Sequence, residues 1–349
     1  MNIFNKSEKK DLSVTIWLFF LTFMIFLMIA IGGLTRLTES GLSMVDWKPL
    51  MGFIPPLNYE DWVNAFNKYK LSPEFQIVNK SMDINEFKYI YWWEWFHRFF
   101  ARCIGIVFII PLFIFLLQKK ISKKLGINLF ILFLFGLFQA LVGWWMVKSG
   151  LTENPYVSPY RLAFHLTNAV IILAILQWIG LNSLSSDNIK FLPSNSFENF
   201  QFSLLFLLFL TIISGAFMAG THAGQSFNTY PLMGGKFIPD DYMLFDSSFR
   251  NFFENTVAIN FNHRWLASFT FTLIIILTIY LFINKKFFTN RLEITLIFTF
   301  ACLQFFLGIV TLLNNVKIIL ASMHQINSML LLLSLLFAYH QFKKQRKIQ

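Results

Sequence analysis

Four of the six histidines in the chain form two pairs with similar spacing. His97 and His165 are 68 residues apart, and His263 and His324 are 61 residues apart. Each of the four lies near the predicted start of a long apolar segment, so the members of a pair belong to different helices. Neutral imidazole nitrogen is a common axial ligand of haem iron, and cofactor sites in helical bundles are built from side chains on facing helices. The pairs therefore indicate two bis-histidine haem sites.

Two other interpretations of these histidines are weighed against the haem sites. A histidine near a helix end is often only hydrogen-bonded to a neighbour, although ionisable groups inside membrane spans are costly and usually functional. Zinc needs three or four ligands, and no further ligand recurs with each pair. Outside the pairs, we expect His222 to have a structural role and His340 to be solvated at the inner end of the last helix.

The surroundings of the two pairs differ in one titratable residue. Glu94 precedes His97 by three residues, which puts both on one helical face, whereas Asn260 stands at the matching position before His263. A carboxylate beside one iron can take or give protons or stabilise a developing cation, and an amide cannot. The alternative is an acid near a helix N-terminus, stabilised by the helix dipole. Glu94 is therefore the candidate catalytic residue.

Three arginines lie close to the paired histidines. Arg98 and Arg264 directly follow His97 and His263, and Arg161 precedes His165 by one helical turn. The guanidinium fork matches a carboxylate, so these arginines are candidates for binding haem propionates. The alternative is an arginine whose stem lies along the apolar span while its charge reaches the interface.

The composition places these residues in a membrane. The chain of 349 residues is 56% apolar and only 13% charged, against about 25% charged residues in a soluble chain. Its net charge of +11 lies at the ends of apolar segments, which argues against a nucleic-acid partner. The two cysteines lie inside apolar runs and exclude a disulfide scaffold.

Eight segments approach the roughly 20 apolar residues that a helical span needs: 14–34, 96–117, 126–147, 161–180, 200–220, 263–284, 292–313 and 320–341.

Eight spans put both termini on one side of the membrane. The segments on that side are rich in Lys and Arg, notably 119–124 and the tail 343–347. The positive-inside rule therefore predicts cytoplasmic termini. The two long loops, about 35–95 and 221–262, then face outward, and the four paired histidines lie near the outer face.

The second half of the sequence repeats the first. Four matches occur in the same order. In the first, Thr38-Glu39-Ser40-Gly41 and Pro49-Leu50-Met51-Gly52 match Thr221-His222-Ala223-Gly224 and Pro231-Leu232-Met233-Gly234. The other three pair His97-Arg98 with His263-Arg264, Gln139-x3-Gly143 with Gln304-x3-Gly308, and His165-x2-Asn168 with His324-x2-Asn327. Each half contains four spans, so both halves have the same orientation and the repeat is parallel. The predicted fold is an all-α integral membrane protein of two four-helix bundles, 1–190 and 191–349.

At these motifs the sequence resembles the haem A synthase family, in its proteobacterial and mitochondrial branch. The resembling stretches are Gly32-Gly33-Leu34-Thr35-Arg36-Leu37-Thr38, Ser40-Gly41-Leu42-Ser43, Asp46-Trp47-Lys48-Pro49, Ile54-Pro55-Pro56, Trp92-Trp93-Glu94-Trp95-Phe96-His97-Arg98, Gly220-Thr221-His222-Ala223-Gly224 and Asn262-His263-Arg264. The branch typical of Gram-positive bacteria carries a cysteine pair in the first outer loop, and this sequence has no cysteine there.

The resemblance implies a reaction and a set of roles. Haem O is converted to haem A when one ring methyl group is oxidised to a formyl group by successive hydroxylations. His97 and His165 would flank the iron of the substrate haem, His263 and His324 would hold a resident haem b, and Glu94 would be catalytic. The implied location is the bacterial inner membrane. The implied partners are an electron donor, which the sequence does not identify, haem O synthase and cytochrome oxidase assembly factors, and the chain could form an oligomer.

Two rival functions are compatible with a helical membrane protein. A non-catalytic dihaem cytochrome b that carries electrons across the membrane would need ligand pairs near both faces, but all four histidines are predicted near one face. A transporter could also have parallel repeats, but these spans lack interrupted helices and paired charges at mid-membrane. Extraction of haem distinguishes the three possibilities: conversion of haem O to haem A, unchanged haem b, or no haem.

Overall fold

The computed structural model describes residues 11–46, 51–152, 154–185 and 188–348. Within these ranges the backbone forms eleven α-helices and no β-strand. They are α1 (Leu12–Leu37), α2 (Tyr59–Lys70), α3 (Pro73–Ile77), α4 (Ile84–Leu117), α5 (Lys123–Lys148), α6 (Pro159–Leu184), α7 (Ser196–Gly220), α8 (Ser248–Glu254), α9 (Thr256–Ile283), α10 (Arg291–Leu313) and α11 (Ile318–Ile348). The motif residues Trp47, Lys48, Pro49 and Leu50 lie outside the described ranges.

Eight helices of the described chain are long and apolar enough to cross a membrane, as the sequence predicts. They are α1, α4, α5, α6, α7, α9, α10 and α11. The prediction that the paired histidines begin their helices is wrong for His97, because α4 begins at Ile84. A capping box between Asp83 and Glu86 starts this helix well outside the apolar segment. Hydropathy detects only the apolar part of such a helix, so a prediction from hydropathy assigns the polar first turns of α4 to the preceding loop.

Four helices form the centre of the molecule. α6 and α11 each pack against both α1 and α7, and they also pack against each other. The remaining spans lie on two flanks, with α4 on α1 and α5 on α6, and with α9 on α7 and α10 on α11. A large apolar cluster joins α6, α7, α9, α10 and α11, and a smaller one joins α1, α4, α5 and α6. The two flanks therefore occupy corresponding positions around a shared centre.

The two flanks are closed to different extents. α9 and α10 pack along each other, and the rings of Phe271 and Phe305 stack with centroids 4.4 Å apart. α4 and α5 scarcely approach each other, although Phe108 and Phe133 stack at 6.2 Å. Counted from His97 and Gln139, the residues that match the stacked phenylalanines are Gly105 and Ala140. A Cβ added to Gly105 would have no atom within 4 Å, so the seam between α4 and α5 is open there.

The end of the molecule that carries the last turns of α11 is held by a buried ion pair. Lys343 Nζ lies 2.8 Å from Glu198 Oε2 on α7. One turn earlier, His340 is 1% exposed, and its ring lies 5.0 Å from that of Trp178 on α6. Its Nε2 is 3.2 Å from Asn182 Oδ1. The prediction that His340 is solvated is therefore wrong, because α6 covers this face of α11.

The first long loop contains a buried carboxyl group. Glu74 on α3 is buried and accepts a hydrogen bond of 2.9 Å from the Tyr69 hydroxyl, which in turn accepts one of 2.8 Å from Asn79 Nδ2. Burial raises the pKa of Glu74 to about 8, and the nearby Glu94 and Glu39 carboxylates add to the increase. Glu74 is thus largely protonated at neutral pH.

This shift predicts a pH dependence of stability. The folded pKa of Glu74 lies above its unfolded value of 4.5, so its stabilising effect is complete below pH 4.5 and is lost as pH rises through about 8. We expect the apparent melting temperature in detergent to fall more steeply between about pH 5 and 8 in the wild type than in Glu74→Gln. Glu60→Gln, at an exposed position on α2, should behave like the wild type. Equal slopes for all three proteins would contradict the prediction.

Candidate paired-histidine sites

The first histidine pair lies between α4 and α6, with each ring against a glycine. A Cβ added to Gly32 of α1 would lie 3.0 Å from Cε1 of His97, and one added to Gly143 of α5 would lie 2.9 Å from Cε1 of His165. Both distances are too short for an unshifted side chain. Glycine is therefore required on the neighbouring helix for each ring to occupy its position.

The second pair repeats this arrangement between α9 and α11. A Cβ on Gly215 of α7 would lie 3.3 Å from Cε1 of His263, and one on Gly308 of α10 would lie 3.0 Å from Cε1 of His324. The four histidines thus share one local design, in which the preceding span supplies a glycine against the ring.

A glutamine and an asparagine accompany the second member of the first pair. Gln139 Nε2 donates a hydrogen bond of 3.1 Å to the carbonyl of His165 and lies 3.3 Å from its Nε2. Asn168 Nδ2 donates to Gln139 Oε1 at 2.7 Å. The Gln-x3-Gly and His-x2-Asn motifs therefore meet at one point between α5 and α6. Gln139 thus hydrogen-bonds across helices to α6.

The same group recurs in the second half. Gln304 Nε2 lies 3.2 Å and 3.3 Å from Nδ1 and Nε2 of His324. Asn327 Nδ2 donates to Gln304 Oε1 at 2.8 Å and to the carbonyl of Phe300 at 2.9 Å. The asparagine fixes the orientation of the glutamine amide, so the Nε2 hydrogens point toward the imidazole.

The first member of each pair has a different environment. Ser214 Oγ lies 2.7 Å from Nδ1 of His263. Nδ1 of His97 is buried and has no hydrogen-bond partner among the described residues, and the same is true of Nδ1 of His165. Buried ring nitrogens without partners are rare in a folded protein, and each calls for an explanation.

These residues fit haem better than a small metal ion. Within the part of the chain that the structure describes, no cluster of three or more His, Cys, Asp and Glu could hold such an ion. Each pair offers two imidazoles from different helices in an apolar, aromatic bundle, which is the donor set that haem iron accepts.

Glu94 is buried against the loop that follows α1. It is 2% exposed, and its Oε2 accepts hydrogen bonds of 2.7 Å from the hydroxyl of Ser43 and from the backbone N–H of Met44. Its Oε1 lies 2.5 Å from Nη2 of Arg98. Arg98 also donates to the carbonyls of Met44 and Asp46. The carboxylate is therefore held by three donors, two of them on a loop.

Asn260 and Arg264 make the corresponding contacts in the second half. Arg264 Nε donates to Asn260 Oδ1 at 2.6 Å, and its two terminal nitrogens donate to the carbonyls of Phe227 and Thr229, both at 2.6 Å. Asn260 Nδ2 donates to Ser226 Oγ at 3.0 Å. Arg98 and Arg264 thus each anchor a long loop to their own helix through two hydrogen bonds to loop carbonyls.

Arg161 has fewer partners. Its Nη1 donates a hydrogen bond of 2.8 Å to the carbonyl of Trp145, and its guanidinium stacks 4.5 Å from the indole ring. Of the three arginines selected from the sequence, it makes the fewest hydrogen bonds within the described structure.

An arginine and a histidine join the two halves near these sites. Arg36 Nη2, at the end of α1, lies 2.8 Å from Nε2 of His222 and donates to the carbonyl of Ala219. Burial lowers the pKa of His222, and the Arg36 cation lowers it further. A neutral His222 accepts the hydrogen bond at Nε2. These contacts are compatible with a structural role, which stays a prediction. Glu39 and His222, which match in the repeat, also share a left-handed backbone with φ of 52° and 55°.

Sequence reasoning missed several residues that contact the candidate groups. Gly32 and Gly215 were not assigned to the histidines, and Ser214 was not noticed. The signal was present, since the offset that aligns Thr38 with Thr221 also aligns Gly32 with Gly215. Extending the repeat match six residues toward the N-terminus would have found both glycines.

Comparison with known proteins agrees with the geometry. The model of the cytochrome oxidase assembly protein family matches residues 15–336. A haem A synthase of Nitrosospira multiformis is 41% identical over 95% of this chain and 94% of its own length. A haem A synthase of Wolbachia pipientis is 40% identical over 95% of this chain and 93% of its own length. One of Arabidopsis thaliana is 41% identical over 95% of this chain and 75% of its own length. The resemblance found in the sequence is confirmed, and the chain belongs to the haem A synthase family.

Proposed function

We propose that this protein is an integral membrane oxidoreductase that converts haem O to haem A. The reaction oxidises a ring methyl group to a formyl group by two successive hydroxylations, after which the geminal diol loses water. One observation carries the proposal: two equivalent histidine pairs lie in one bundle, and a buried carboxylate stands beside only one of them. The names of relatives that are about 40% identical over most of the chain support the reaction.

The proposal gives the two halves different roles. Residues 1–190 bind the substrate haem between His97 and His165, and residues 191–349 hold haem b between His263 and His324. A resident haem b supplies electron transfer to or from the substrate site. Duplication of the glycine and glutamine contacts supports two equivalent haem sites, and the asymmetry of Glu94 against Asn260 supports placing the chemistry in the first half.

Glu94 acts on the methyl group as a fixed negative charge or as a proton acceptor. Removal of electrons from the methyl group makes positive charge develop there, which an oriented carboxylate stabilises, and the same carboxylate can accept the proton that the methyl group then loses. The hydrogen bonds from Ser43, Met44 and Arg98 hold the carboxylate in place before substrate binds. Such preorganisation avoids a cost of reorientation during the reaction.

The open seam between α4 and α5 supports entry of the substrate from the bilayer. Haem O carries an isoprenoid tail, which partitions into lipid. If the porphyrin enters the protein laterally from the bilayer, through this seam, the tail does not need to leave the lipid. Gly105 and Ala140 leave space in this seam, whereas Phe271 and Phe305 fill the matching seam in the second half. A permanent haem b has no need for such an opening.

The arginines and the topology complete the proposal. Arg161 binds a propionate of the substrate haem, since its guanidinium keeps donors beyond its bond to Trp145, and Arg98 and Arg264 stabilise propionates with donors that the loops do not use. The protein lies in the inner membrane with cytoplasmic termini, and its haem sites lie near the outer face. Basic residues at the ends of the spans support this orientation.

The primary test is expression in a bacterium that makes haem O but not haem A, followed by extraction and separation of the haems. Appearance of haem A is the expected result. Purified protein that holds haem b and yields neither a hydroxylated nor a formyl product, even with a reductant system added, would contradict the proposal and indicate an electron carrier.

Removal of the second histidine pair should deplete haem b. His263→Ala and His324→Ala each remove one axial imidazole, so we expect the haem b content of the purified protein to fall well below one per chain. Pyridine haemochrome spectra measure this content. His222→Ala is the matched control and should keep it. A normal haem b spectrum in both ligand variants would exclude the assignment.

Substitution of the carboxylate should abolish product formation without loss of haem b. Glu94→Gln preserves shape and hydrogen-bonding oxygen but removes the charge, so we expect haem A yield to fall about 100-fold or more, which is typical for loss of an acid or base. Glu86→Gln, at an exposed position on the same helix, should retain activity. Full haem A yield in Glu94→Gln, with normal haem occupancy, would refute the role.

Filling the open seam should block loading of the substrate. In a host that makes haem O, Ala140→Phe should lower the haem O bound to purified protein several-fold and leave haem b unchanged. Leu141→Phe adds bulk at the neighbouring, 56% exposed position of α5 and should bind haem O normally. Equal haem O content in the two variants would show that substrate enters elsewhere.

A further inference from the structure

We propose that Ser214 is a positioning residue that fixes His263 as a permanent haem ligand, and that its absence from the first half lets the first site exchange its haem. This inference rests on the proposed function, because it concerns how tightly each half holds haem. Two observations support it: the hydrogen bond between Ser214 and His263, and the presence of Ile31 at the position of the first half that matches Ser214.

The hydrogen bonds of Ser214 determine which nitrogen of His263 carries hydrogen. Its hydroxyl oxygen lies 2.7 Å from the carbonyl oxygen of Thr211 and 2.7 Å from Nδ1 of His263. A hydroxyl has one hydrogen, and a carbonyl only accepts, so Ser214 donates to Thr211. The hydroxyl therefore accepts from Nδ1–H of His263. In that tautomer Nε2 has a free lone pair, which is the form that binds iron.

A hydrogen bond at the far side of a ligand histidine strengthens the ligand. It holds the ring in one orientation and raises the basicity of the ligating nitrogen, and loss of such a partner commonly lowers metal affinity 10- to 100-fold. Ser214 directly precedes Gly215, which makes room for the same ring. Two adjacent residues of α7 thus fix both the position and the tautomer of His263.

The first half keeps the glycine and lacks the hydroxyl. Ile31 precedes Gly32 on α1, as Ser214 precedes Gly215 on α7. Isoleucine offers no acceptor, and Nδ1 of His97 has no hydrogen-bond partner within the described residues. Neither the tautomer nor the rotation of the His97 ring is fixed by such a bond. A weaker axial ligand suits a site whose haem enters as substrate and must leave as product.

The test uses the full-length protein from a host that makes haem b but not haem O. Haem b content, the rate of haem loss to a haem-scavenging apoprotein and the reduction potential are measured for the wild type, Ser214→Ala and Ser214→Thr. Ser334→Ala is the matched control, since its buried hydroxyl bonds only to the carbonyl of Leu330 in α11. His324→Ala serves as the reference for a lost ligand.

We expect Ser214→Ala to lose haem b 10- to 100-fold faster and to have a more positive reduction potential, because the ligand becomes a weaker electron donor. Ser214→Thr keeps the hydroxyl and should behave like the wild type, as should Ser334→Ala. A reduction potential is independent of how much protein folds, so it separates positioning from a general loss of stability.

The reciprocal variant keeps the inference testable if Ser214→Ala does not fold. In a host that makes haem O, Ile31→Ser should slow the release of haem from the first half several-fold. Unchanged haem loss and potential in Ser214→Ala, or unchanged release in Ile31→Ser, would overturn the inference while His324→Ala still loses haem b. Retention of haem b in His324→Ala would instead overturn the proposed cofactor site, and the inference with it.

Discussion

The structure depends on close approach between helix backbones at four imidazole rings. An imidazole inside an apolar bundle needs space that a neighbouring side chain would otherwise fill, and at each of the four positions that neighbour is a glycine whose added Cβ would make a tight contact with the ring. The glycines therefore constrain which helices pack together. α1 must lie beside α4, and α10 beside α11, because a glycine on the one meets a histidine on the other.

On this common frame, the halves differ at a few positions with separate physical effects. A carboxylate replaces an amide beside one pair, and a serine hydroxyl holds one histidine of the other pair. The stacked rings of Phe271 and Phe305 close the seam of the second half at a level where Gly105 leaves the seam of the first half open. The three differences agree in direction. They make the first half more open, and they make the second half more closed, as the proposed division of roles requires.

The sequence predicted what hydropathy and repetition encode. Eight spans, an all-helical fold and the equivalence of the two halves' motifs follow from apolar runs and from matched residues such as His97 and His263. The burial of His340 could not be predicted, because it depends on α6 from the other half packing over α11. The bonds of Glu94 to Ser43 and Met44 were equally hidden, since they need the loop after α1 to fold back on α4.

The comparison of Glu94 with Asn260 separates architecture from chemistry. Both side chains accept a hydrogen bond from the arginine four residues later, and both arginines bind the carbonyls of the adjacent loop. An amide oxygen suffices for that structural task in the second half. The negative charge of Glu94 is therefore not needed to hold the loop, and its burial carries a desolvation cost that the fold alone does not require. Retaining that charge beside His97 makes sense when the reaction at the first site uses it.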